Sequence, residues 1–302
     1  MNAEKKKRPK IVTILAILLL LVGLGIMLYP TFSDLYYRWT AQQQISQYNH
    51  VAEATQADYS ELWAAAEEYN RQLAQRGSSI TVTEEEKAQI EQLLNPLGNG
   101  MMGYIDIPKI SVHLPIYQDT EESALQAGAG FWLGTSLPTG GPSTHCVLTA
   151  HNGLVRAKMF TDLDQLEIGD TFSLSILDRV LTYEVDQILV TEPEDISPLQ
   201  IVEGEDYVTL YTCTPYGVNT HRLLVRGHRI PTPEDEETVD PVQAVTGGMD
   251  LRDKILTVLF LVAALLLLIL AARLLISQIK KAKQLPEGLR KEEKDKNHEE
   301  NQ

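Results

Sequence analysis

Val208-Thr209-Leu210-Tyr211-Thr212-Cys213-Thr214-Pro215 is the stretch on which the reading of the fold turns. Val208, Leu210 and the β-branched threonines suit a pleated, half-buried surface, so the run reads as a strand. Pro215 cannot donate to a sheet ladder, which places the end of the strand near Cys213. A thiol at a strand end, facing the turn Pro215-Tyr216-Gly217, stands where a substrate can meet it. Taken alone, such a cysteine is more often a small buried core residue, and its meaning depends on partners elsewhere in the chain.

Outward from this strand, the surrounding sequence has the same texture. Short apolar runs separated by Gly, Pro, Asp and Asn predict strands at Gly103–Ile107, His113–Ile116, Cys146–Ala150, Thr171–Ile176, Val180–Val190, Tyr207–Thr212 and Arg222–Ile230. Short strands with turn signals between them predict a mainly β barrel or sandwich over residues 103–230. Only Leu125–Phe131 and Ala157–Leu163 read as short helical turns within it. On the N-terminal side, apolar residues from Leu35 to Leu73 recur at helical spacing, which predicts a helical stem over 30–94. Gly77-Ser78-Ser79 interrupts it. Thr83 before Glu84-Glu85-Glu86 then resembles a capped helix start, with acids favouring the N-terminal dipole, and the helix is expected to run to about Leu94. Asn95-Pro96-Leu97-Gly98-Asn99-Gly100 is loop chemistry, and residues 95–102 form a connecting loop.

Two apolar runs flank this region. Residues 11–29 and 255–276 are each long enough to cross a hydrocarbon core of roughly 30 Å as a helix. Lys5, Lys6, Lys7, Arg8 and Lys10 precede the first; Lys280, Lys281 and Lys283 follow the second. The positive-inside rule then puts both termini, the basic tail 1–10 and the charged tail 277–302, in the cytoplasm and the intervening segment outside. The first run is long for a signal peptide's apolar region and no small-x-small cleavage site follows it, so it reads as an uncleaved anchor. Residues 231–250, rich in acids and prolines, read as a linker.

Charge divides along the same lines. Residues 30–250 hold 11 Lys and Arg against 33 Asp and Glu, a net of −22, and the flanks carry a net of +7. An outer segment this acidic argues against nucleic acid as a partner. The chain has two cysteines, Cys146 and Cys213, too few for a disulfide scaffold. Cys146 lies on a strand five residues before His151, so alternation puts the two on opposite faces and predicts a buried, unpaired thiol.

A cysteine nucleophile works as thiolate and needs a proton acceptor nearby, and the acyl group it attacks needs donors for its developing oxyanion. Of seven histidines, His50 lies on the stem, His298 in the tail, and His113, His145, His221 and His228 on strands or beside charged neighbours. His151 stands apart. It follows the strand Cys146-Val147-Leu148-Thr149-Ala150 and precedes the turn Asn152-Gly153, a strand end like that of Cys213. The loop Thr214 to His221 returns the chain as a hairpin neighbour, which brings Arg222 beside Cys213. Alternation puts Arg222, Leu224 and Arg226 on one face and Leu223 and Val225 on the other. A guanidinium there can donate two parallel hydrogen bonds. By local pattern alone, His151 also reads as an ordinary turn histidine and Arg222 as a surface arginine in an ion pair.

Thr209-Leu210-Tyr211-Thr212-Cys213 resembles the TLxTC signature of sortases, the cysteine transpeptidases of Gram-positive bacterial surfaces. Leu148-Thr149-Ala150-His151-Asn152-Gly153-Leu154 is similar to their histidine strand and turn. Thr220-His221-Arg222-Leu223-Leu224-Val225-Arg226-Gly227 is similar to their arginine strand. The three occur in the family's order, and the resemblance covers roughly residues 95–230. Within the family, the pilus-assembling class C is most similar, since its members carry an N-terminal helical extension, a lid over the active site and a C-terminal span. Leu94 to Tyr104 aligns with that lid, where the family's Asp-Pro-aromatic is replaced by Asn95, Pro96 and Leu97.

The resemblance implies a sortase-like closed β-barrel and two acyl transfers. Cys213 would attack the Thr–Gly bond of an LPxTG-like sorting signal on a pilin or surface protein and form a thioester. His151 would act as acid and base, and Arg222 would hold the substrate carbonyl. A lysine amine of an acceptor pilin would resolve the thioester as an isopeptide bond. No cofactor or metal is implied. Two other readings stay open at this level: a sortase that attaches surface proteins to a cell-wall precursor, and a non-catalytic anchored module that binds sorting signals.

Overall fold

The computed structural model describes residues 10–54, 58–77 and 82–233, with isolated positions between 258 and 277. The tail before Lys10, the linker beyond Pro233, the second expected span apart from those positions, and the tail after Ser277 lie outside the described residues. The chain divides into two units: Met1–Tyr29 with Met249–Gln302, and Pro30–Gly248.

α1 (Lys10–Ala54) is one helix with Pro30 inside it. It unites what the sequence divides into an anchor and the start of a stem. It is long and apolar enough to cross a membrane, and the side chains of Leu18, Leu19, Leu20, Val22, Ile26 and Met27 are exposed. α2 (Ser60–Arg76) buries Trp63, Ala66, Tyr69, Asn70 and Leu73, spaced three and four residues apart as one helix face requires. α3 (Glu84–Ile90) starts as its sequence predicts: Thr83 Oγ1 accepts a hydrogen bond from Glu86 N at 3.2 Å, with three glutamates in the first turn. It ends at Ile90 rather than Leu94, because the chain there passes into turns and Leu94 takes a φ of +51°.

Eight strands follow, with one short α-helix, α4 (Glu122–Ala127), and three single-turn 3-10 helices among them. They are β1 (Met101–Ile107), β2 (Val112–Tyr117), β3 (Ala129–Phe131), β4 (Thr144–Thr149), β5 (Thr171–Ile176), β6 (Arg179–Thr191), β7 (Asp206–Thr214) and β8 (His221–Ile230). They form a closed barrel in the order β1-β2-β3-β4-β7-β8-β6-β5. β2 and β3, and β4 and β7, run parallel; the other pairs are antiparallel. The fold class expected from the sequence is therefore found, and seven of the strands lie within a few residues of their predicted bounds. The eighth, β3, is three residues long and was expected to be helical.

Period-2 alternation fills the barrel. Ile105, Leu114, Ile116, Cys146, Leu148, Leu174, Ile176, Val208, Leu210, Leu223 and Val225 belong to one buried cluster, which α2 and α3 extend with Trp63, Leu73 and Ile90. The alternate residues Val147, Tyr211 and Leu224 form a second cluster with Leu199, against which Trp132, Leu189 and Ile196 pack. This patch lies on the outer face of the neighbouring strands β4, β7 and β8.

Candidate active site

Cys213 is the penultimate residue of β7, half-buried, and unpaired. In the antiparallel ladder it stands directly opposite Arg222 of β8. Val208 and Leu210 point into the barrel, so Tyr211 and Cys213 face outward by alternation. Arg222 and Leu224 share that outer face, and Leu223 and Val225 are in the core.

The histidine is brought alongside by the parallel pairing of β4 with β7. Thr149 is level with Tyr211, so the same register carried two residues further sets His151 level with Cys213. Two side-chain bonds fasten the strand ends together. Thr212 Oγ1 donates to Ala150 O at 2.7 Å, and Asn152 Nδ2 donates to the carbonyl of Cys213 at 2.7 Å. The turn after His151 is fixed in its turn: Phe160 N donates to His151 O at 3.1 Å, and Gly153 N to Thr161 Oγ1 at 3.0 Å. Gly153 has a φ of +82°, and a Cβ there would come within 2.9 Å of the Tyr216 ring. Glycine suits this position on both counts. The turns after β4 and β7 are thus packed on one another.

Arg222 is steadied by its own hairpin, its Nη1 donating to Asn219 O at 3.1 Å and His221 O at 3.0 Å. Tyr211 reaches it from β7. Burial pushes the Tyr211 phenol up, and a hydrogen bond and charge from Arg222 oppose that shift. Beneath this pair Trp132 meets Tyr211 edge to face, with ring centroids 4.8 Å apart. The result is a half-buried thiol opposite a guanidinium and level with an imidazole, with an aromatic pair built on Tyr211, two residues back along its own strand. Such a set can supply a nucleophile, an acid–base group and an oxyanion donor. Among the described residues, no cluster of three or more His, Cys, Asp and Glu side chains is placed to hold a metal.

Cys146 lies on the other face of β4, in the barrel core, where burial pushes its thiol well up. It is unpaired, as alternation predicts.

Asn95 and Leu97 make their contacts with other parts of the fold. Asn95 closes its own turn, donating Nδ2 to Glu91 O at 3.2 Å and accepting at Oδ1 from Gly100 N at 3.0 Å. Leu97 packs with Ile45 and Tyr48 of α1 and Met101 of β1. The stretch leads into β1, four places from β7 round the closed barrel in either direction. The expectation of a lid over the thiol finds no support in these contacts, which make the stretch a clasp between α1 and β1. Conversely, Asn152, Trp132, Tyr211 and the acid Glu122, 3.8 Å from His151, join the site without having been singled out from the sequence.

The barrel and the three strand ends at its rim define a class. The Sortase domain model matches residues 105–230, and the solved structures below match at well over 30% identity along nearly their whole length. The chain belongs to the sortase family, whose members are cysteine transpeptidases. The sortase C1 structure from Streptococcus agalactiae is 47% identical with a TM-score of 0.61, covering 63% of this chain and 100% of that one. The sortase C of Streptococcus pneumoniae, whose crystal structure was described as giving insight into catalysis and pilin substrate specificity, is 44% identical with a TM-score of 0.56, covering 63% and 97%. Among curated proteins, sortase D of Bacillus subtilis is 26% identical over 156 residues, 51% of this chain and 76% of that one.

Proposed function

We propose that this chain is a membrane-anchored cysteine transpeptidase that cleaves an LPxTG-like sorting signal and joins it to a lysine amine of a pilin. The observation that carries the proposal is the register that sets Cys213 opposite Arg222, with His151 level with the thiol on the neighbouring parallel strand. The similarity to class C sortases, one of them described for its pilin substrate specificity, supports pilins as the substrate.

In the first half-reaction the Cys213 thiolate adds to the scissile Thr–Gly carbonyl. Charge gathers on the carbonyl oxygen, and the Arg222 guanidinium, fixed by two backbone carbonyls, donates to it. The C–N bond then breaks, His151 protonates the leaving amine, and the acyl group remains as a thioester. In the second half-reaction an uncharged lysine amine attacks the thioester, His151 takes the proton that the new amide nitrogen sheds, and the thiolate leaves. The edge-to-face pair of Trp132 and Tyr211 gives the apolar residues of the sorting signal a surface beside the thiol.

The wider organisation goes with this activity. The basic tail 1–10 and charged tail 277–302 lie in the cytoplasm, the spans 11–29 and 255–276 cross the membrane, and the stem 30–94 and barrel 103–230 stand outside, with 231–250 as linker.

The test is mass spectrometry of the full chain in detergent with a sorting-signal peptide, then with a lysine donor. A peptide adduct on Cys213, resolved by the lysine and absent in Cys213→Ala at an unchanged circular dichroism melt, is expected. Cleavage retained by Cys213→Ala would reject the thiol as nucleophile. Transfer to a cell-wall peptide amine in preference to the pilin lysine would reject polymerisation and retain the transpeptidase.

A further inference from the structure

Glu122 opens α4, and its Oε2 lies 3.8 Å from Nε2 of His151. That ring nitrogen is closed off from solvent and has no hydrogen-bond partner. An enclosed ring nitrogen that carries a proton needs an acceptor, since an unpaired buried donor loses its water without compensation. The Glu122 carboxylate faces it.

The carboxylate is also oriented. Gln126, one turn along α4, donates Nε2 to Glu122 Oε1 at 2.5 Å, which leaves Oε2 as the oxygen turned towards His151. α4 is fastened to the rest of the site from two sides. Arg156, on the loop that follows His151, donates Nη2 to Gln126 O at 3.2 Å, and Tyr37 of α1 donates its hydroxyl to Ala127 O at 2.8 Å. The adjacent Glu121 is engaged by Lys87 Nζ at 2.7 Å, whereas among the described residues no Lys or Arg forms an ion pair with Glu122. The Glu122 side chain is largely exposed.

We propose that Glu122 is a positioning residue for His151. Its Oε2 accepts the Nε2–H hydrogen bond, which fixes the ring's orientation and tautomer and leaves Nδ1 as the nitrogen that exchanges protons in the reaction. This rests on the reading of His151 as the acid–base group. In the first step the thiol proton of Cys213 passes to Nδ1, giving thiolate and imidazolium. The thiolate's electron pair forms the S–C bond, the C–N pair leaves with the amine nitrogen, and the Nδ1 proton passes to that nitrogen. Nε2 keeps its proton throughout, and Glu122 remains ionised.

The experiment uses the full chain in detergent micelles with ¹⁵N-labelled histidine, comparing Glu122→Ala and Glu122→Asp with the parent; His151→Ala assigns the resonance. The neutral ring of His151 is expected to be the Nε2–H tautomer in the parent and a mixture in Glu122→Ala. The rate constant for thioester formation should fall about 10–100-fold in Glu122→Ala, by analogy with the loss on removing a carboxylate that orients a metal-bound histidine. KM for the peptide should stay within about twofold, and Glu122→Asp should regain part of the rate. An unchanged tautomer in Glu122→Ala, or a lowered melting temperature at an unchanged rate, would overturn the proposal. The tautomer measurement needs no turnover. A parent that forms no thioester therefore rejects the enzymatic reading alone, and a Glu122→Ala variant of full activity rejects this inference alone.

Discussion

Among the described residues Arg222 hydrogen-bonds to backbone carbonyls and to Tyr211 and forms no ion pair with a carboxylate, which leaves its charge available where the substrate's oxygen would develop charge. Lysine at this position keeps the charge and loses the planar fork. Arg222→Lys is therefore expected to lower kcat for thioester formation by about 10²-fold, near the loss on removing one oxyanion donor, with peptide KM nearly unchanged. Single-turnover cleavage of a sorting-signal peptide measures it, and a pure KM effect would make Arg222 a binding group only. The two thiols provide a second check. Cys213 is half-buried and Cys146 lies in the barrel core, so a maleimide should label one cysteine in the native chain and both after denaturation without reductant. Two unreactive thiols after denaturation would mean a disulfide. These residues were legible because each lies on or next to a strand, where alternation and hairpin return decide face and neighbour. Asn152 and Glu122 were not. What they touch depends on how the loop after β4 folds and on where α4 docks, and no local pattern encodes either.

Among the elements, the long strands were legible and the short pieces were not. β6 and β8 carry enough alternating residues to announce themselves. β3 is Ala129-Gly130-Phe131, too short for a period, and its place between β2 and β4 comes from tertiary pairing alone. The adjoining α4 was legible only as a turn with the wrong bounds. The loop at 95–97 shows a different limit. Its composition announces a loop, and a likeness of motif suggested a lid, but the contacts of Asn95 and Leu97 belong to α1, β1 and the loop's own turn. Asn95→Ala leaves Gly100 N without its acceptor, and Leu97→Ala removes packing against Ile45 and Tyr48. Each is expected to cost about 1 kcal/mol of stability. Neither should change the rate at which iodoacetamide alkylates Cys213. A faster alkylation in either variant, at an unchanged melting temperature, would restore the lid.

For the unit Pro30–Gly248 as a whole, the segment around Leu199 and Gln200 covers polar side chains as well as apolar ones on the outer face of β4 and β7, and this couples its stability to pH. His145 of β4 is fully buried, with Nδ1 2.9 Å from Gln200 O and Nε2 2.7 Å from Thr209 Oγ1. Burial pushes its imidazole down to about 4 from an ordinary 6.5, and the bond to the Gln200 carbonyl only partly offsets that. Between those two values the unfolded chain binds a proton at this site and the folded chain does not. Its contribution to stability is therefore complete above about pH 6.5, falls as the pH drops towards 4, and changes no further below that. The span corresponds to a loss on the order of 3 kcal/mol. Burial pushes the carboxyl of Asp206 the opposite way, up from the usual range, so the parent's own profile mixes the two effects. The informative quantity is the difference from His145→Gln, which removes one titration and leaves Asp206 in place. Urea unfolding of both full chains in detergent, followed by near-ultraviolet circular dichroism from pH 7.5 to 4, supplies it. His145→Gln should be the less stable at pH 7, and the gap should narrow steadily from about pH 6.5 downwards, because only the parent has a buried neutral imidazole to lose. A gap that stays constant over that range would show that His145 is not held neutral beneath this cover, and that its two hydrogen bonds are compatible with a charged ring.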